Sequence, residues 1–236
     1  MNVVFIGAHP DDEMSCLGTL LQYRQRGDRI ALVCATNGDK GISDDPNVPY
    51  EECARIRSRE MQAVAQALDA DYCCLDEPDE ALYDTWANRL KMIEAIRAAQ
   101  ADLIFTHFPQ DYNLDHCATS ALVFQASLLS QIAAIRTDSP ALTRVPPIFY
   151  VDPGPGCGFE ATHFVAIDED TARTVQTIMG LHRSQMEVSQ RLLGTDYRET
   201  VQIRLEAAGA RVGLPYAEAF RPCLAERRTP LARALP

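Results

Sequence analysis

The stretch HPDDE, which begins at His9, places one histidine and three consecutive acids directly after the apolar run Val3–Ala8. Carboxylates crowded at a strand end repel one another and lose solvation, so a cation is expected to offset that cost. Because Pro10 biases the preceding residue away from helical geometry, the chain turns here, and His9 and Asp12 can face one point. Glu13 is expected instead to begin a helix, where the helix dipole favours a negative charge.

A second polar cluster, HFPQDYNLDH, follows the apolar run Ala101–Thr106 and ends at His116. Together, His9, Asp12 and His116 provide two imidazoles and a carboxylate, a common ligand set for a catalytic divalent metal such as zinc. A metal held in this way lowers the pKa of a bound water toward ~7. Of the adjacent acids, Asp11 and Asp12, one can bind the metal while the other takes the proton of the water from within hydrogen-bond distance.

Each cluster taken alone has a plainer interpretation. A His-Pro pair commonly forms a turn, Asp-Asp before a helix commonly caps it, and Asp115-His116 could simply begin a helix. The combination favours a metal site, since two clusters of histidine and aspartate each follow a buried strand of one sheet.

The elements that must position these clusters alternate between strand and helix, as judged from apolar runs and helical periodicity. Strands are predicted at Val3–Ala8, Arg29–Thr36, Tyr72–Leu75, Ala101–Thr106, Pro147–Val151 and His163–Ile167. Helices are predicted at Glu13–Arg26, Glu51–Leu68, Thr85–Ala99, Ala118–Ile135, Glu169–His182 and, with a break near Gly194, Ser184–Ala210. This order predicts an α/β fold: a mostly parallel sheet, helices on both faces, and ligands at the carboxyl ends of the strands. We expect one domain over residues 1–236, with a small lobe appended after about residue 151.

Composition narrows the classes of function. The chain has 236 residues, is 47% apolar and carries a net charge of -11. Such an acidic chain repels phosphates, which disfavours nucleic acids and anionic membranes as partners. Since no apolar stretch approaches the ~20 residues of a membrane span and the first residues lack a signal-peptide pattern, a cytoplasmic protein is expected. Most of the eight cysteines are expected to be small core residues rather than disulfides.

The motif AHPDDE after the first strand, with the later Asp-His pair that begins at Asp115, resembles the PIG-L/LmbE-like superfamily of zinc-dependent N-deacetylases. The segments RIRSRE (Arg55–Glu60), HRSQ (His182–Gln185) and YAEAFR (Tyr216–Arg221) resemble its other motifs and occur in the same order. This resemblance covers most of the chain. It implies a Rossmann-like fold and hydrolysis of an N-acetyl group on a small amino sugar or its conjugate.

The resemblance also implies roles for individual residues. His9, Asp12 and His116 correspond to the zinc ligands, Asp11 to the general base, and Asp115 to a carboxylate that orients a ligand. The same ligands would also accept iron(II) or cobalt(II). Related proteins often assemble, so the resemblance allows a homo-oligomer.

One position departs from the family pattern. Where the family often reads HxxDH, this chain has Asn113 followed by LDH. An asparagine can donate a hydrogen bond to an oxyanion, but it cannot exchange a proton near neutral pH. Either the Asp11 carboxyl returns the proton to the leaving amine, or another group does, with His163 and His182 as candidates; for both histidines a structural role is the alternative.

Further residues are candidates for contact with substrate: Arg57, Asp111, Tyr112 and His182. Tyr112 lies beside the metal cluster in sequence and could contact the oxyanion or the substrate. Asp111 could bind a sugar hydroxyl or cap a turn. Arg57 could bind a hydroxyl or a phosphate, against the alternative of a solvated helix face.

Other functions compete with the hydrolase. A nucleotide-binding Rossmann oxidoreductase needs a glycine-rich first turn, whereas this chain has acids there that would repel phosphate. A deacetylase-like protein that binds a ligand without turnover is supported by Asn113 alone.

Overall fold

The structure is a computed structural model that describes residues 1–42 and 44–228. Its strands are β1 (Asn2–Gly7), β2 (Arg29–Thr36), β3 (Asp71–Glu77), β4 (Leu103–His107), β5 (Ile148–Val151), β6 (His163–Ile167) and β7 (Tyr216–Pro222). Its α-helices are α1 (Leu17–Gln25), α2 (Tyr50–Leu68), α3 (Trp86–Ala98), α4 (Leu114–Leu129), α5 (Glu169–Met179), α6 (Arg183–Leu193) and α7 (Tyr197–Ala210).

The strands form one seven-stranded sheet in the order β3-β2-β1-β4-β5-β7-β6. Strands β1 to β5 run parallel, and β7 pairs antiparallel with both β5 and β6. The predicted α/β fold with a mostly parallel sheet is therefore confirmed. The segment of β7 was not predicted as a strand, because its alternating alanines and charges lack the apolar run that marks the buried strands.

Strand β1 shows why the sheet is covered on both faces. Val3 and Phe5 pack into one buried cluster, with residues of α1, α2, α5 and α7. Val4 and Ile6 pack into a second cluster, with residues of α3 and α4. Since successive side chains of a strand point to opposite faces, an unbroken apolar run requires this two-sided cover.

The turns that carry the acidic clusters differ from the prediction. A short 3-10 turn covers Asp12–Ser15, and α1 begins only at Leu17 rather than at Glu13. Helix α4 begins at Leu114, earlier than predicted, because the side-chain oxygen of Asn113 accepts the backbone N–H of Asp115 at 2.7 Å. The early start places Asp115 and His116 in the first turn of α4.

The segment after Val151 contributes β6 and β7 to the same sheet as the first half of the chain. All eight cysteines are free thiols, and five of them are buried. Among the described residues, no helix combines the length and apolar character needed to cross a bilayer.

Candidate metal centre and active site

The two predicted clusters meet at the carboxyl end of the sheet. His9 and Asp12 follow β1, and His116 follows β4, the parallel neighbour of β1. His9 Nδ1 lies 3.2 Å from His116 Nε2, and Asp12 Oδ1 lies 3.3 Å from the same nitrogen. One ligand atom from each of these three residues lies within 4.8 Å of the others, so a single cation could contact all three.

The outward nitrogen of each imidazole faces a carboxylate. His9 Nε2 lies 3.3 Å from Asp115 Oδ2, and His116 Nδ1 lies 3.1 Å from Asp111 Oδ1. When both imidazoles are neutral, carboxylates in these positions favour the N–H on the outer nitrogen, and both inner nitrogens then present lone pairs to each other. Since facing lone pairs beside a carboxylate repel unless a cation lies between them, this donor set fits a divalent metal.

Asp12 is held so that one oxygen is left for such a cation. Its Oδ2 accepts the backbone N–H of His9 at 2.6 Å and lies 3.0 Å from Nε2 of the buried His107. Oδ1 is therefore the oxygen that faces His116. The tight turn between His9 and Asp12 explains why the helix predicted from Glu13 starts late.

Two overlapping groups could also hold a metal by proximity: His107 with Asp111 and His116, and His9 with Asp79 and Asp115. Each of these groups contains one of the two histidines and the carboxylate that its outer nitrogen faces. A metal bound there would therefore require that imidazole to give up the contact described above. His107 and Asp79 are additions to the predicted site. The position of His107 at the carboxyl end of β4 could have indicated a place in the site. No feature of the sequence marks Asp79 as a site residue.

In this cluster, neighbouring charges and hydrogen bonds outweigh burial in setting the pKa values of His116 and Asp12. Burial alone would lower the pKa of His116, but the charge of Asp12 and the hydrogen bond to Asp111 outweigh burial and raise that pKa to about 10. Burial would raise the pKa of Asp12, yet His116 and His107 hold it well below its usual range. The cluster thus attracts positive charge, as a proton or as a metal ion.

Asp11, the predicted general base, faces the same cavity from a strained backbone. Its φ is 145°, a region that residues with a Cβ rarely adopt. Arg57 Nη2 donates to Oδ1 at 2.9 Å, and the hydroxyl of Tyr197 donates to Oδ2 at 2.9 Å. Arg57 also donates to the carbonyl of Pro10. Arg57 is only 2% exposed, so it fixes the Asp11 turn rather than lying on a solvated helix face.

The cluster opens into a cavity of about 430 Å³. Its lining joins the residues above to polar side chains from several other elements. These include Lys40, Asp79, Glu80, Tyr112, Asn113, Gln185 and Arg204. Such a polar, partly open cavity suits a small hydroxyl-rich ligand.

The predicted substrate contacts fall in different places. Tyr112 is 77% exposed and meets the ring of His116 edge-on, with the centroids 5.4 Å apart. Asn113 lines the cavity, but its side-chain oxygen caps α4, and its amide nitrogen lies 3.4 Å from Glu80. The side chain of Asp111 is buried against His116, so its position favours orienting that ligand over binding a sugar hydroxyl.

The candidate roles of two histidines do not agree with their positions. His182 is fully buried, and its Nε2 lies 2.6 Å from Oε1 of the equally buried Glu13, so a substrate cannot contact its ring in this structure. Glu13 was expected to interact with a helix dipole, but its buried carboxylate contacts His182 instead. His163 lies exposed on β6, where Nδ1 is 2.9 Å from the Thr162 hydroxyl.

Motifs near the end of the chain reach back to the first half. Glu60 of RIRSRE accepts from Ser184 of HRSQ, at 2.7 Å from the backbone nitrogen and 2.6 Å from the hydroxyl. Glu218 of YAEAFR accepts the backbone N–H groups of Gly18 and Thr19, both at 2.7 Å, at the start of α1. These contacts tie the late motifs to the elements that carry the site. Tyr197 belongs to neither motif, and nothing local marks it.

Comparison with known proteins agrees with this arrangement. The family model described as GlcNAc-PI de-N-acetylase (PIG-L) matches residues 4–127, just over half of the chain. The chain belongs to the PIG-L family. The predicted family resemblance is thereby confirmed, and the description of this family is that of a deacetylase.

Proteins similar to this PIG-L protein include one from Escherichia coli and several whose structures are solved. The "Uncharacterized deacetylase YaiS" of Escherichia coli is 28% identical over 157 residues, which cover 62% of this chain and 80% of that protein. N,N'-diacetylchitobiose deacetylase from Pyrococcus horikoshii has a TM-score of 0.81 at 22% identity, covering 94% of this chain and 83% of that chain.

Two further solved structures share the fold. The conserved protein TT1542 from Thermus thermophilus has a TM-score of 0.79 at 25% identity, covering 99% of this chain and 100% of that chain. GalB, a 4-carboxy-2-hydroxymuconate hydratase from Pseudomonas putida, has a TM-score of 0.74 at 19% identity, covering 98% of this chain and 100% of that chain.

Proposed function

We propose that this PIG-L protein is a metal-dependent hydrolase that removes the N-acetyl group of a small amino-sugar substrate. The observation that carries the proposal is the convergence of His9, Asp12 and His116 beside the Asp11 carboxylate in one cavity. These three residues would hold Zn²⁺, with Fe²⁺ or Co²⁺ as ions of similar ligand preference. When bound, the ion would polarise the acyl carbonyl and make a water molecule more acidic.

The residues of the chain supply proton transfer and orientation. Asp11 takes a proton from the attacking water, whose oxygen bonds to the acyl carbon. The amide nitrogen of Asn113 and the hydroxyl of Tyr112 are the nearby donors for the oxyanion. Protonated Asp11 then gives its proton to the leaving nitrogen as the C–N bond breaks. The second proton of the water is released to solvent as the acid ionises, so acetate and the free amine result. The burial of His182 leaves Asp11 as the proton donor to the leaving nitrogen.

The chemistry of the cavity supports an amino sugar as substrate. Lys40, Glu80 and Gln185 offer both donors and acceptors around the cluster, as a ring of hydroxyls requires. The family description and the name of the P. horikoshii structure both refer to N-acetylated sugars. Since β6 and β7 complete the same sheet, we also propose that the elements of residues 1–228 form one domain rather than a core with a separate lobe.

The test combines metal analysis with release of acetate. Purified protein should bind about one equivalent of Zn²⁺ and release acetate from N-acetylglucosamine or its simple glycosides. The Asp11→Asn variant should keep the metal but lose turnover by about 10²–10⁴-fold, since a general base is worth that much. Metal-loaded protein that binds these sugars but releases no acetate would favour the binding protein without turnover. Wild-type turnover in Asp11→Asn would remove Asp11 from the mechanism.

A further inference from the structure

A second cavity, of about 500 Å³, adjoins the metal-centre cavity. The two share part of their lining, namely Met14, Ser15, Asp152 and Arg204. Unlike the first, the second cavity is mainly apolar. We call it the α7 pocket, because α7 forms one of its walls.

The walls of the α7 pocket come from three elements. Helix α7 contributes Val201, Ile203, Leu205, Ala207 and Ala208. Strand β7 contributes the small side chains of Ala217 and Ala219, and the glycine-rich loop after β5 contributes Phe159. Ile203 is 63% exposed although it is a large apolar side chain, so part of this apolar wall faces solvent.

Three charged groups of the α7 pocket, Glu218, Arg204 and Arg211, are already engaged within the protein. Glu218 accepts from the amides of Gly18 and Thr19, both at 2.7 Å. Arg204 donates to the carbonyl of Asp152, and the guanidinium of Arg211 lies 5.1 Å from the centroid of the Phe164 ring. Glu160, at the exposed edge of the lining, is a further charged group, and the rest of the surface that remains for a ligand is mainly apolar.

From this continuity we infer that the substrate carries an apolar aglycone, which occupies the α7 pocket while its N-acetyl sugar lies at the metal centre. The inference rests on the proposed function. The polar residues shared by the two cavities, Ser15, Asp152 and Arg204, lie where the sugar ring would cross from one to the other. A long acyl chain would instead begin at the metal centre and would have to cross this polar stretch, which an apolar chain disfavours.

The experiment compares hexyl and methyl N-acetylglucosaminides, kept below the micelle concentration. In the wild-type protein, kcat/KM for release of acetate should be at least about tenfold higher for the hexyl glycoside, because burial of the added methylenes strengthens binding. In Ala207→Trp, which fills the pocket from an exposed helix position, that ratio should fall toward one. The matched control is Ala210→Trp, at an exposed position on the same helix outside both linings, and it should keep the wild-type ratio.

A binding measurement separates this inference from the proposed function. In the Asp11→Asn variant, calorimetry should show the same tenfold preference for the hexyl glycoside, and Ala207→Trp should remove it, whether or not acetate is released. Equal values for the two glycosides would overturn the inference while leaving the deacetylase proposal intact. The other contrary outcome is that N-hexanoyl glucosamine, and not the hexyl glycoside, binds more tightly in a way that Ala207→Trp removes. That result would assign the pocket to the acyl chain and would also overturn the inference.

Discussion

The N-terminal region, residues 1–129, and the C-terminal region, residues 148–228, contribute differently to one cavity. The N-terminal region provides the three candidate metal ligands and the candidate base. The C-terminal region provides Tyr197, which fixes that base, and most of the apolar wall next to it. In the proposed mechanism, the catalytic groups therefore come from the N-terminal region, and the pocket proposed for the aglycone comes mainly from the C-terminal region. The family match to residues 4–127 falls entirely within the first of these regions.

The strongest test of this division removes one histidine from each region. His116→Ala should reduce bound metal, because one of the three proposed ligands is lost. It should also lower kcat/KM by at least about 10³-fold, because the metal ion would supply several kcal/mol of transition-state stabilisation. His163→Ala, at an exposed position on β6, should leave metal content and activity unchanged. Metal analysis and acetate assays check both. A large loss in the β6 variant would contradict the division.

The next largest effect concerns Glu218, the buried acid that links β7 to α1. Burial raises its pKa to about 7 from a usual value of 4.5, so the folded state binds the proton more tightly than the unfolded state. The free energy of unfolding should therefore fall as pH rises from about 5 to 8, by about 3 kcal/mol from this group. The stabilising contribution is fully present below the unfolded pKa and is lost as pH passes the folded one.

The Glu218→Gln variant supplies the control for that pH dependence. Since glutamine does not titrate, the stability of the wild-type protein relative to the variant should decline between pH 5 and pH 8 in urea titrations. A constant difference across this range would show that the C-terminal region places no titrating acid against α1.

A smaller effect is expected where the C-terminal region touches the chemistry directly. Tyr197→Phe removes one of the two donors to Asp11, and kcat should fall about tenfold because a hydrogen bond to a charged group is lost. KM should change little, since the hydroxyl holds Asp11 rather than the sugar. Steady-state kinetics separate the two constants. A change confined to KM would place Tyr197 among the substrate contacts instead.

The smallest expected effect is on the cap of α4. Asn113→Ala should lower stability by about 1 kcal/mol, because the side chain that accepts the N–H of Asp115 is lost. For a chain of this size the corresponding drop in Tm is about 2–4 °C. Asn113→Asp keeps an acceptor and should retain most of the stability. Equal melting temperatures for the two variants would show that the cap does not contribute.

The two regions also differ in how much could be predicted from sequence. The bounds of β2 and β6 were predicted as the structure has them, because both are short apolar segments with clear ends. The grouping of His9 with His116 followed from one rule, that ligands lie at the carboxyl ends of parallel strands. Local pattern and topology were sufficient for these features.

What could not be predicted depends on contacts between distant segments. Tyr197 meets Asp11 across 186 positions, and His182 meets Glu13 across 169. Asp111 was a candidate for binding a sugar hydroxyl or for capping a turn, and the tertiary fold buries its side chain against His116. Strand β7 lacks an apolar run because much of its burial comes from small alanines under α7. No single window of sequence holds both partners of such contacts.

The order of the strands bears on biosynthesis. β7 is the last of the described strands to leave the ribosome, yet it lies between β5 and β6, and it is the strand that joins β6 to the rest of the sheet. Until residues 216–222 emerge, β5 presents an unpaired edge and β6 has no place to dock. A nascent or truncated chain that stops before this strand would expose unpaired backbone N–H and C=O groups, which can pair with other chains. This is the form of the protein most in need of a chaperone.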